Sequence, residues 1–98
     1  MVRKPLKIIW SEQAILALKD IYKFHQKVSV QWAEKVRDKI YQSPETVIYA
    51  NQYQIDEDDP DYRRIVVGDY KVLYQIENGN INIIDVVCSL QGSKTNQE

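Results

Sequence analysis

Three cations stand close together in the second half of the chain: Arg63 and Arg64, adjacent, and Lys71 shortly after them. Two guanidinium groups and an ammonium at this spacing suit an anion. Arginine offers a planar fork that matches phosphate or carboxylate, and lysine a compact point charge. Such a cluster can hold a phosphate, stabilise charge that develops on it during transfer, or dock an acidic protein segment. Groups to take and give a proton are scarce. The sole histidine, His25, falls at the end of a helical stretch and reads as a cap or surface residue. Cys88 has no base beside it in the pattern and reads as a small apolar residue. Tyr62 adjoins the arginines and reads as structural. The cluster thus has no acid or base beside it in the pattern.

The elements around these residues follow from periodicity. Leu6, Ile8 and Trp10 alternate with Lys7 and Ile9 as a short strand. Ser11 then reads as a helix N-cap with Glu12 in the first turn, and Ala14, Ile15, Leu18, Ile21 and Tyr22 form one helical stripe. Ser29 reads as the next N-cap, with Val28 placed as a hydrophobic staple and Trp32, Ala33, Val36, Ile40 and Tyr41 as the apolar face. Ser43-Pro44-Glu45 interrupts this helix and suits a short restart. The two helices are expected to form an antiparallel hairpin. The segment 51–61 holds Asp56, Glu57, Asp58, Asp59 and Asp61 around Pro60 and reads as a solvated loop. It lacks the glycine and terminal glutamate of an EF-hand, so no metal is expected.

Three strands complete the chain. Gly68-Asp69 and Asn78-Gly79 are two-residue hairpin turns that join Tyr62–Val67, Tyr70–Glu77 and Ile81–Cys88. Pairing Val67 with Tyr70 puts Ile65, Val67, Tyr70, Val72, Tyr74 and Ile76 on a core face beneath the hairpin. Arg64, Val66, Lys71, Leu73 and Gln75 then share the other face, which reads either as a solvent-facing sheet decorated with charge or as a shallow cationic surface for a phosphate, a nucleic acid or an acidic protein segment. Arg63 falls on the core side at the strand's mouth, where it can pair with the acidic loop or snorkel outward. A tight Asn78-Gly79 turn continued without interruption puts Asp85 opposite Val72 in the core. That is unfavourable and points to a bulge or a longer loop.

The class is therefore α+β: a short N-terminal strand, an antiparallel helical hairpin and a three-stranded antiparallel meander. It forms one domain over residues 1–90, followed by a polar tail over 91–98. Composition agrees. The chain has 98 residues, 44% hydrophobic and 28% charged, enough for one modest core. One cysteine permits no intrachain disulfide, and no apolar run is long enough for a signal peptide or a membrane span, so a cytoplasmic protein is expected. A net charge of -1 does not fit a protein that grips nucleic acid by bulk electrostatics.

WSEQAILALKDIY at 10–22, SVQWAEKV at 29–36 and above all RRIVVGDYKVLYQIENGNINIIDVV at 63–87 resemble the bacterial RelE/ParE toxin superfamily. The resemblance covers nearly all of the chain except its tail. It implies a toxin from a two-gene toxin–antitoxin module, used in plasmid stabilization and growth inhibition. It implies a cognate antitoxin as partner, with operator DNA bound only through the toxin–antitoxin complex, and it implies no cofactor. Two kinds of target are known in the superfamily. ParE-like members poison DNA gyrase, and RelE-like members enter the ribosome and cut mRNA. The resemblance places Arg64 and Lys71 where RelE-like enzymes keep catalytic cations, and makes Arg63, Arg64 and Lys71 the candidate target-binding residues. The family's next basic position falls at Leu90-Gln91, where no cation stands, and the tail holds no tyrosine. Three readings remain open. The first is a gyrase-directed toxin. The second is a ribosome-dependent mRNA endoribonuclease, which would make the chain an enzyme. The third is a non-toxic remnant that still binds antitoxin.

Overall fold

The computed structural model describes residues 6–49 and 51–89. Seven elements follow in order: β1 (Lys7–Trp10), α1 (Glu12–Gln26), α2 (Val30–Gln42), a short 3-10 turn (Ser43–Thr46), β2 (Arg63–Val67), β3 (Tyr70–Glu77) and β4 (Asn80–Cys88). The strands make one four-stranded sheet in the order β1-β4-β3-β2. The meander β2-β3-β4 is antiparallel, as its hairpin turns require, but β1 lies parallel to β4, with Ile8 opposite Ile81 and Trp10 opposite Ile83. The sheet is therefore mixed. None of the helices described is long and apolar enough to cross a membrane.

Both helix starts are built as their sequences suggest. The Ser11 hydroxyl accepts from the Ala14 amide at 3.0 Å and the Ser29 hydroxyl from the Trp32 amide at 3.1 Å. Ser11 does more than cap. Its hydroxyl also donates to the Ile84 carbonyl at 2.9 Å, and its amide donates to the Ile83 carbonyl at 3.0 Å. The first turn of α1 is thereby tied to the middle of β4. The staple expected at Val28 does not form: Val28 is 89% exposed, because Ala33, the position it would cover, is small and turned fully inward. Pro44 opens the 3-10 turn where it loses no helical hydrogen bond.

The core lies between the helices and one sheet face. Ala14 and Ile40 meet Ile65, Val72, Tyr74, Ile81, Ile83 and Val86 there. The β2–β3 register is the expected one, with Val67 opposite Tyr70 and Arg64 opposite Leu73. Asn78 and Gly79 both take positive φ, at 55° and 78°, so the second hairpin closes on a type I′ turn whose twist matches its strands. Between Leu73 and Tyr74 the ladder shifts by one residue on β4: Tyr74 faces Ile83, but Leu73 faces Asp85. That bulge removes the conflict of an uninterrupted register. Asp85 leaves the core face and Val86 takes the place opposite Val72. On its new side Asp85 accepts from its neighbour's Val86 amide at 2.8 Å and from Gln13 Nε2 at 3.1 Å.

Ser11→Ala removes the cap and the link to β4 together. A helix cap alone contributes about 1 kcal/mol. Urea denaturation is expected to show a loss of about 1–2 kcal/mol, and a loss no larger than that of Ser29→Ala would mean that the Ile84 contact adds nothing.

Candidate functional site

The structure brings Arg63, Arg64 and Lys71 to one edge of the sheet and turns their donors inward, onto the loop 51–61. On the core side, Arg63 donates from its two terminal nitrogens to the Tyr53 carbonyl at 2.7 Å and to Asn51 Oδ1 at 2.9 Å. Arg64 sits beside the strand edge, where it donates to the Ile55 carbonyl at 2.8 Å and to Gln54 Oε1 at 3.1 Å. On the opposite face, Lys71 Nζ donates to Asp56 Oδ1 at 2.6 Å and to Asp58 Oδ2 at 3.1 Å. The three cations thus hold one loop as it passes around β2, one of the two outer strands of the sheet.

The backbone reinforces this wrap. The Arg64 amide donates to the Gln54 carbonyl and the Asp56 amide to the Tyr62 carbonyl, so residues 54–56 pair with the start of β2 and cover its free edge. Tyr53 packs on the core and meets Tyr74 edge to face, with ring centroids 6.4 Å apart. The Tyr74 hydroxyl is buried with no hydrogen-bond partner among the described residues, and burial raises its pKa.

Two expectations change here. The acidic loop is not simply solvated: Asp56 is only 1% exposed. Its Oδ2 accepts from the amides of Asp58 at 3.1 Å and Asp59 at 2.9 Å, an Asx turn that folds the loop around its own carboxylate. Nor is the back of the sheet an open cationic surface, since Lys71 is 7% exposed and lies against two carboxylates. Burial alone would lower the Lys71 pKa, but the hydrogen bonds and charges of Asp56 and Asp58 outweigh it and hold the ammonium above its ordinary range. Arg64 comes within 4.0 Å of Asp56 as well. The cleft here, about 240 Å³, is lined by both signs of charge.

An acid–base pairing that the sequence did not show lies elsewhere among the described residues. His25 Nε2 and the Tyr70 hydroxyl are 2.8 Å apart, at the mouth of a cavity of about 170 Å³ formed with Trp32, Lys39 and Val67. Burial, then the neighbouring Cys88 and Asp69, raises the Tyr70 pKa and keeps the phenol protonated, so it can donate to an unprotonated His25 ring. Such a pair can relay a proton. It sits on the helix-covered face, however, while Lys71, the next residue along β3, points to the other face. The sheet separates the proton-transfer pair from Lys71 and its carboxylates. Tyr62 serves through its backbone, accepting from Asp56 and donating to Asp59. Leu90 and Gln91, where the family's further cation was expected, and the tail lie outside the described residues. Among the described residues no group of three His, Cys, Asp or Glu side chains could hold a metal ion.

The family model described as the ParE toxin of the type II toxin–antitoxin system parDE matches residues 8–91. Comparison with the curated proteins gives no match. Among solved structures, the chromosomal ParDE toxin–antitoxin system from P. aeruginosa superposes with a TM-score of 0.74 at 16% identity, covering 86% of this chain and 96% of that one. At that identity the likeness establishes the fold.

The Lys71–Asp56 contact makes a prediction of its own. Lys71→Met leaves a buried carboxylate without its cation and is expected to cost about 3 kcal/mol or more. Adding Asp56→Asn should recover part of that loss, because the carboxamide oxygen still accepts the loop amides. Since the folded state raises the Lys71 pKa, its contribution is complete below the ordinary lysine range and is lost as pH rises through the elevated value. Chemical denaturation at increasing alkaline pH should show a steeper decline in the parent than in Lys71→Met, where the raised Tyr70 and Tyr74 pKa values alone still act. Equal stability of parent and Lys71→Met would show that the pair does not hold the loop.

Proposed function

The chain belongs to the ParE toxin family of type II toxin–antitoxin systems, and from that premise we propose that it arrests growth by binding a protein target in the cytoplasm, DNA gyrase, and that its cognate antitoxin neutralises it by covering apolar surface on the domain. The observation that carries this reading is the closure of the cation cluster. Lys71 is spent on Asp56 and Asp58, and Arg64 on the carbonyl and side chain of the preceding loop. A ribonuclease of the RelE type needs cations facing the phosphate together with a group that moves the proton. Here the cations face the chain's own carboxylates and carbonyls, and the His25–Tyr70 pair lies across the sheet from Lys71. The net charge of -1 also suits a protein target better than a polyanion.

In this reading Arg63, Arg64 and Lys71 serve target binding by holding the 51–61 loop in shape, and the loop rather than the cations meets the target. Arg64→Ala and Lys71→Ala together are expected to abolish growth arrest through loss of that loop conformation. Antitoxin binding through a separate surface should persist wherever the variant remains folded.

The purified chain is expected to inhibit gyrase supercoiling of relaxed plasmid DNA, and to leave mRNA uncut when incubated with translating ribosomes. Mapped mRNA ends that appear only with ribosomes and the chain would overturn the gyrase reading in favour of the endoribonuclease. Inactivity in both assays, with antitoxin binding intact, would assign the chain to the non-toxic remnants.

A further inference from the structure

The Asp56 side chain sits where a bound anion would sit. Its Oδ1 accepts from Lys71 Nζ at 2.6 Å and has Arg64 Nη1 at 4.0 Å. Its Oδ2 accepts from the amides of Asp58 at 3.1 Å and Asp59 at 2.9 Å. Two cations, one on β2 and one on β3, thus converge with two backbone N–H groups on one pair of oxygens. A carboxylate and a phosphodiester present the same thing to such donors, two oxygens that share one negative charge. The site is not sealed. Beside it opens the cleft of about 240 Å³, lined by Asp56, Glu57, Asp58, Arg64, Val66 and Lys71. Asp58 is its exposed partner: the side chain is 53% exposed and its Oδ2 accepts from Lys71 at 3.1 Å. Val66, on the same face of β2 as Arg64, is also exposed, so the strand beside the cleft is open to solvent.

We infer that Asp56 and Asp58 determine which class of ligand this face accepts: they fill an oxyanion site formed by Arg64 and Lys71 and so keep nucleic-acid phosphodiesters out of it. Tethering is the first reason. Asp56 lies fifteen residues from Lys71 on the same chain, so it competes at the effective concentration of a linked group, on the order of millimolar or more. A phosphate from solution must displace it and also give up its own freedom of motion. Charge is the second reason. The cleft sets Arg64 and Lys71 against Asp56, Glu57 and Asp58, so its acids outnumber its cations and a polyanion is repelled from it. Without Asp56 and Asp58 the same lining has two cations facing Glu57 alone. Exclusion of nucleic acid therefore rests on two side chains and not on a want of cations. The inference deepens the protein-target reading above and rests on it. A toxin directed at a protein must not be drawn off by cellular nucleic acid, and two internal carboxylates prevent that.

The test is fluorescence anisotropy of a labelled single-stranded oligonucleotide, made once as RNA and once as DNA of the same sequence, titrated with the full-length chain as salt is raised. Thermal melting checks folding. Asp56→Asn/Asp58→Asn keeps an oxygen at position 56 for the loop amides. It is expected to bind about tenfold or more tightly than the parent, with a salt slope steeper by about 0.7, the value of one phosphate contact on a single strand. Adding Lys71→Met is expected to abolish the gain. Glu34→Gln/Asp38→Asn removes the same amount of negative charge from exposed positions of α2 and is expected to gain less than about twofold. A gain on both oligonucleotides supports the inference and assigns recognition to the shared phosphodiester, and a gain on one supports it and names the source. The inference is overturned if the folded double variant gains nothing, if the gain survives Lys71→Met, or if the α2 variant gains as much. Should the double variant not fold, Asp58→Asn alone decides, since it alters a half-exposed side chain. It is expected to gain about threefold over Asp38→Asn, and equal affinity of the two overturns the inference. Failure in any of these ways leaves the protein-target reading standing as long as the parent inhibits supercoiling. A parent that already binds the RNA tightly, and loses that binding with Lys71→Met, brings down both.

Discussion

An ammonium and a carboxylate 2.6 Å apart, both nearly removed from water, set the form of one whole side of this protein. Taking either charge out of water is costly, and the cost is recovered only if the partner is close and the remaining hydrogen-bonding sites are filled. Asp56 meets that condition with Lys71 on one oxygen and two loop amides on the other. The loop that supplies those amides must therefore take a definite path. It leaves the core side under Arg63, rounds the sheet edge beside Arg64 and ends against Lys71. The segment 51–61, outside the named helices and strands, becomes a fixed cover for an edge strand that would otherwise invite other chains.

A sheet face carrying Arg64 and Lys71 offers cations to whatever anion reaches it first. Here that anion is part of the chain, held a few residues away in sequence and already ordered, so an external phosphate would have to displace a buried, multiply bonded carboxylate. What remains outward includes apolar and aromatic surface on the helical hairpin, together with the contour of the loop. Those are means of recognising proteins.

Local chemistry made most of the fold legible. Ser11 and Ser29 cap helices because short-range hydrogen bonding favours them at those positions, and Gly68-Asp69 and Asn78-Gly79 turn because only such pairs fit the turns. The β2–β3 register followed from the first turn by counting. The bulge on β4 was foreseeable as a need, since Asp85 could not face Val72, but its position depends on packing across the sheet. The pairing of β1 with β4 was not visible, because a parallel partner about seventy residues away leaves no mark on the short strand itself. Of the site, the cation cluster was legible by composition and its partners were not. Asp56 differs from Glu57, Asp58 and Asp59 only in being the one whose turn closes over Lys71, and a row of acids looks solvated until the chain's path is known. The pairing of His25 with Tyr70 was hidden for the same reason, each residue being ordinary within its own element.

The tie between the two ends of the chain bears on how the molecule comes into being. Among the described residues β1 is the first element made, yet its one strand partner there is β4, the last of the described strands, and the first turn of α1 is anchored to that same strand through Ser11. During synthesis the helical hairpin can form early from local contacts, but the sheet beneath it cannot close until residues 80–84 have emerged. A nascent chain therefore carries an incomplete core until β4 is free to pair. Whatever this protein does in its finished form, a copy whose β4 has not yet emerged lacks the structure to do it.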